Sequence, residues 1–147
     1  MPHLPSDKPK NVLYAELALW AWTVWMCVCG IYQAWVSIGD LEKMIAEQLQ
    51  GMIEVDPESL MWTAVIGYAM LGAGSAWIVL KIGEGKNWAR ISVVLSFALD
   101  AIWTAMPPYR ETLYYLLAVP DIGLQIYALY LLYTWPGRAW FDKEQWV

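Results

Sequence analysis

Four stretches of the chain are each apolar for about twenty residues or more, and that constrains the fold more than anything else in it. A helix rising about 1.5 Å per residue needs roughly 20 apolar residues to cross a hydrocarbon core about 30 Å thick. Inside lipid the backbone must satisfy its own hydrogen bonds, so runs of this length read as helices. Barrel strands would be about half as long and would alternate in polarity, which these do not. The expected fold class is therefore all-α: a polytopic membrane protein with four transmembrane helices in a bundle, forming a single domain over 1–147.

The helices are predicted over about 13–36, 58–82, 87–105 and 111–134. Asp56 suits an N-cap, Pro57 the first helical position, and Glu58 the positive end of the helix dipole. Pro107 and Pro108 stop the third run, and Pro136-Gly137 ends the fourth. Lys8 and Lys10 before an apolar stretch imitate a secretory signal. The stretch is too long for one, however, and no A-x-A-like site follows, so it reads as an uncleaved membrane helix.

Cations set the expected orientation. Lys8, Lys10, Lys81, Lys86, Arg90, Arg138 and Lys143 fall on one side, and only Lys43 and Arg110 on the other. By the positive-inside rule both termini face the cytoplasm. Trp35, Trp62, Trp103 and Tyr109 would form an outer aromatic belt, and Trp88, Tyr133 and Trp135 an inner one.

Composition narrows the function classes. A net charge of −5 leaves no basic patch for nucleic acid. His3 is the only histidine and lies in the polar N-terminal tail, so haem and most transition-metal sites lack their usual ligand. Cys27 and Cys29, two apart on a helix, point away from one another and read as small apolar side chains. No nucleophile is paired with a histidine, and no glycine-rich phosphate loop is present; Gly83-Glu84-Gly85 reads as a tight turn. No catalytic residue, metal or cofactor is predicted.

Ionisable and polar residues inside a span are costly and draw attention by default. Glu16 and Arg90 lie about one turn inside helices 1 and 3 at similar depth, where an ion pair between them is expected. Asp100 lies near the outer end of helix 3, and Asp121 near mid-membrane in helix 4. Pro120 frees the carbonyl of Leu116, and Gln125 shares the face of Asp121, which together mark a kinked polar point. Two uses fit: a polar cluster that locks helix packing, or a site for an ion, proton or polar ligand. Trp20, Trp22, Trp25 and Tyr32 make helix 1 unusually aromatic, but Trp20 and Trp22 face opposite ways, which favours packing and lipid contact over one pocket.

On helix 2, Ala69, Gly72, Ala73 and Ala76 recur at helical spacing, a pattern that lets backbones approach within lipid. Packing within the bundle explains it; a seam between copies is the alternative. The segment 39–56 places Leu41, Met44, Ile45, Leu49, Met52 and Ile53 on one face and Asp40, Glu42, Glu47 and Glu54 over much of the rest. It is expected to form a short outer amphipathic helix capped by Asp40, lying at the interface or docking another protein.

Two segments carry a family resemblance. Gly85-Lys86-Asn87-Trp88-Ala89-Arg90 opens helix 3, and Ala128-Leu129-Tyr130-Leu131-Leu132-Tyr133-Thr134-Trp135-Pro136-Gly137-Arg138-Ala139-Trp140-Phe141 closes helix 4. Both are similar to a group of small four-helix inner-membrane proteins of proteobacteria that has no assigned function. The resemblance covers about helices 2 to 4 and implies a bacterial inner-membrane location and four-helix topology, with no activity attached. Physically, Trp88, Trp135 and Trp140 suit interface anchors, as does Trp146, while Arg138 and Arg90 can snorkel to phosphates.

The functional expectation is a non-enzymatic accessory protein of the inner membrane. Its partners would be lipid and another membrane protein or a second copy of itself. Two alternatives stand beside it: a small oligomeric transporter or channel using the intramembrane carboxylates, and an immunity protein against a membrane-acting toxin.

Overall fold

The structure, a computed structural model, describes residues 8–48, 56–105 and 112–142. His3, most of the hydrophobic and acidic positions of the outer segment, Pro107-Pro108, Tyr109, Arg110, Lys143 and Trp146 lie outside the described residues or have side chains that do. The chain is all-α, and no strand occurs among the described residues. Its helices are α1 Lys10–Gln48, α2 Pro57–Gly83, α3 Asn87–Ala105, α4 Thr112–Tyr133 and α5 Gly137–Phe141. Four of them are long and apolar enough to cross a membrane. The protein is a multi-pass membrane protein.

Local chemistry sets the visible helix ends. Pro9 cannot donate, but its carbonyl accepts from the amides of Val12 and Leu13, opening α1. Asp56 caps α2: its Oδ2 accepts from the Ser59 amide at 3.1 Å, and its carbonyl accepts from Ser59 Oγ and the Leu60 amide. At the other end Gly85 takes φ +82, and the amides of Lys86 and Gly85 donate back to the carbonyls of Lys81 and Ile82. This paired closure requires a left-handed residue, which glycine adopts without cost, and it turns the chain directly into α3.

Two elements differ from the sequence expectation. The outer segment begins as helix, but residues 40–48 continue α1 instead of standing apart from it. Gly39 costs a helix interior about 1 kcal/mol, and the good helix formers Leu41, Glu42, Lys43, Met44 and Ala46 outweigh that when no proline intervenes. Likewise, Pro136-Gly137 ends α4 but also starts α5, since Pro136 occupies the N-cap of that short helix. Pro120 sits inside α4 without ending it.

The chain divides into two compact units. The first comprises residues 1–23 and 75–147, and the second residues 24–74. In the first, Val12, Ala15, Leu19 and Trp22 of α1 are buried at helical spacing, together with Val79 and Ile82 of α2, Ala89 and Val93 of α3, and Ala128 and Leu132 of α4. Phe141 of α5 is buried there too. Buried Gly137 lies against the Leu131 carbonyl, and Trp140 packs on Gly85. In the second unit α1 and α2 meet through small residues. Gly30 faces the Tyr68 ring, Gly72 faces Cys27, and Cys27 Sγ donates to the Tyr68 carbonyl at 3.5 Å. Close approach of this kind is how helices associate where lipid already satisfies apolar surface.

Candidate functional site in the membrane-spanning helices

Three of the residues singled out in the sequence come together in the first unit. Gln125 of α4 donates from Nε2 to Asp100 Oδ2 of α3 at 2.6 Å. Asp121, one turn before Gln125 on α4, lies beside Gln125 and within electrostatic reach of Asp100. Its other neighbour is the indole of Trp22 from α1. The cluster therefore draws on three helices.

Depth along each helix explains the meeting. At about 1.5 Å per residue, Trp22 stands roughly 18–20 Å from Lys10, Asp100 from Asn87, and Asp121 from Tyr133. These distances are a little over half the thickness of a hydrocarbon core. The antiparallel pairing of α3 and α4 also sets Arg90 near Tyr133, at the far end of the same register.

The polar inventory is unbalanced. Gln125 is fully buried at 0% exposure, and its Oε1 has no hydrogen-bond partner among the described residues. Trp22 is 7% exposed, and its Nε1 likewise makes no well-formed hydrogen bond. Buried polar atoms without partners are uncommon because each forfeits its hydration. Neither carboxylate takes part in the ion pairs Lys8–Glu16 and Lys81–Glu84. The chemistry on offer is a set of hard oxygen acceptors with one indole donor beside them. No group of three or more His, Cys, Asp or Glu side chains assembles among the described residues.

The expected Glu16–Arg90 pair does not form. Glu16 is engaged by Lys8, which precedes α1, and its carboxylate fills the space a side chain at Gly83 would need. Arg90 takes a different route to stabilisation. Its NH2 donates to Asn87 Oδ1 at 2.7 Å, and its guanidinium lies 4.5 Å from the Tyr133 ring centroid and 5.0 Å from that of Phe141. Aromatic faces attract a cation most when water is excluded, so a residue three positions away and two rings take the place expected of the Glu16 carboxylate.

The remaining candidates are dispersed. Trp88 stacks obliquely on Trp77 with centroids 4.9 Å apart, while Trp135 is 83% exposed and Arg138 is also exposed. On α2 the small-residue stripe is split: Gly72 is turned to Cys27 and Ala76 is half-buried, but Ala69 and Ala73 are exposed. Trp22 was singled out in the sequence only as one of the aromatic residues of helix 1, and its place beside Asp121 was not foreseen. Its distance from the start of α1, equal to that of Asp121 from the end of α4, was the available signal.

Comparison of the chain with family models, with curated proteins and with solved structures gives no match.

Proposed function

We propose that this chain is a non-enzymatic multi-pass protein of the bacterial inner membrane that acts by binding another membrane protein through α2. The observation that carries the reading is the exposed pair Ala69 and Ala73, set beside exposed Trp62 and Ile66 on the same side of the helix. Small side chains flanked by large ones make a shallow notch. Against lipid such a notch gains nothing, whereas against a second helix it permits close backbone approach.

The orientation supporting this role has both termini in the cytoplasm, on the strength of seven cations against two. Cysteine-accessibility labelling in intact cells tests it: a cysteine introduced at Gln48 should react with an impermeant reagent, and one introduced at Glu84 should not.

Purification in mild detergent tests the binding role. A partner should accompany the wild-type chain and be lost from Ala73→Leu, while Leu99→Ala on exposed α3 retains it. A clean monomer that by itself restores every phenotype of the deletion defeats the proposal.

A further inference from the structure

We propose that Arg90 holds the phosphate of an anionic phospholipid at the end of the helices where α2 turns into α3. The inference goes beyond partner binding through α2 and does not depend on it. The guanidinium is anchored on one side only. Its Nη2 donates to Asn87 Oδ1 at 2.7 Å, while Nε and Nη1 are buried and have no hydrogen-bond partner among the described residues. Donors buried in this way forfeit their hydration and gain nothing in return. An arginine also keeps its charge when buried, so it has no neutral form in which to escape the deficit. The carboxylates of Glu16 and Glu84 are engaged by Lys8 and Lys81, and Asp142, which follows Phe141 at the end of α5, gives Nε and Nη1 no bond. The rings of Tyr133 and Phe141, 4.5 and 5.0 Å away, attract the charge but supply neither nitrogen with an acceptor.

Depth and surroundings select the acceptor. The bond to Asn87, the first residue of α3, turns the guanidinium back toward the helix start, so its charge lies nearer the membrane surface than the Arg90 backbone does. Trp88 and Trp135, both exposed, stand at the same end of α3 and α4, where interface aromatic residues belong. The anion that a bilayer offers at that level is the headgroup phosphate, whose oxygens accept charge-assisted bonds from a planar guanidinium. The cover over the site is thin. Arg90 is only half-buried, and Tyr133, whose ring lies against the guanidinium, is 44% exposed. A turn of that ring admits a phosphate oxygen to Nε and Nη1, exchanging a ring contact for a charged hydrogen bond. Lys86, just before α3, and exposed Arg138 in α5 add positive charge at this end. They favour a lipid of net negative charge over a zwitterionic one, whose ammonium group they would repel.

Native mass spectrometry of the purified full chain in neutral detergent tests the proposal. Dioleoyl phosphatidylglycerol, dioleoyl phosphatidylcholine and inorganic phosphate are offered at equal concentration in separate arms. The wild-type chain should retain about one phosphatidylglycerol, roughly tenfold or more tightly than phosphatidylcholine. Inorganic phosphate should not be retained; if it binds as well as the lipid, the site reads a soluble anion and the lipid assignment falls. Arg90→Gln should weaken phosphatidylglycerol binding about tenfold or more, and Arg90→Lys, which keeps the charge without the planar donors, about threefold or more. Lys10→Gln, which removes one charge elsewhere, should leave it unchanged. Equal retention of the two lipids overturns the proposal, as do equal losses in Arg90→Gln and Lys10→Gln, since diffuse charge would then suffice. Should the Arg90 variants fail to fold, a chain carrying Arg110→Lys and Arg138→Lys keeps Arg90 as its only arginine. With 15N-labelled arginine in phosphatidylglycerol vesicles, solid-state NMR should place lipid phosphorus within about 4–5 Å of the guanidinium; no dipolar coupling between them refutes the site.

Discussion

The two halves of α1 make opposite use of the same kind of sequence. In the first unit, Val12, Ala15, Leu19 and Trp22 are buried, as are residues of α2, α3, α4 and α5. In the second, Val24, Val28, Tyr32, Trp35 and Val36 are exposed, and contact with α2 runs through Gly30 and Cys27. All the buried side chains among the described residues belong to the first unit. Hydropathy is high along both halves, so it does not distinguish them. In a bilayer the side chains facing lipid are as apolar as those facing protein, and only packing tells them apart.

The sharpest way to break this comparison is at Gly137. A Cβ there would fall on the Leu131 carbonyl oxygen, which as backbone has little room to yield. Gly137→Ala should cost about 3 kcal/mol or more in an SDS titration of helicity. Next, Leu19→Ala should cost about 2–4 kcal/mol because it empties packed volume in the first unit. Ile66→Ala, on the exposed face of the second unit, should change stability by about 0.5 kcal/mol or less. Equal losses at the two positions would dissolve the distinction between the units. Gly30→Ala should fall between them at about 1–3 kcal/mol, since the Tyr68 ring must swing aside, while Gly74→Ala, with nothing within 4 Å, should be close to neutral. The smallest effect concerns the Lys8–Glu16 pair, where the lysine is a third exposed; Glu16→Gln should cost about 1 kcal/mol or less and lose its effect in high salt.

The four spanning helices were legible because each is written as an uninterrupted apolar run, a requirement that admits little else in lipid. The end of α1 was not. Gly39 followed by Asp40 reads as a boundary, yet a glycine stops a helix only where its neighbours decline to continue it. α5 was hidden for a related reason: Pro136 both ends one helix and begins another, and a five-residue element leaves no periodic trace.

At the candidate site, Asp121 and Gln125 were visible as neighbours one turn apart on a single helix. Asp100 was visible only as a separate charge in another helix. Their meeting depends on the rotation of α3 against α4, and where every face is greasy no hydropathy signal reports rotation. Arg90 shows the same limit from the other side. Similar depth suggested Glu16 as its partner, whereas the contacts that form are to Asn87, Tyr133 and Phe141.

The Arg90 arrangement also bears on the order in which the protein is made. Arg90 enters the membrane with α3, but the rings that shelter its charge belong to the end of α4 and to α5, which leave the ribosome later. Until Tyr133 and then Phe141 arrive, α3 itself offers the guanidinium Asn87 alone of these partners, so the third helix is inserted before its charge is fully sheltered. A nascent chain arrested before α5 emerges should therefore leave Arg90 open to arginine-specific reagents, and release of the finished chain should close it.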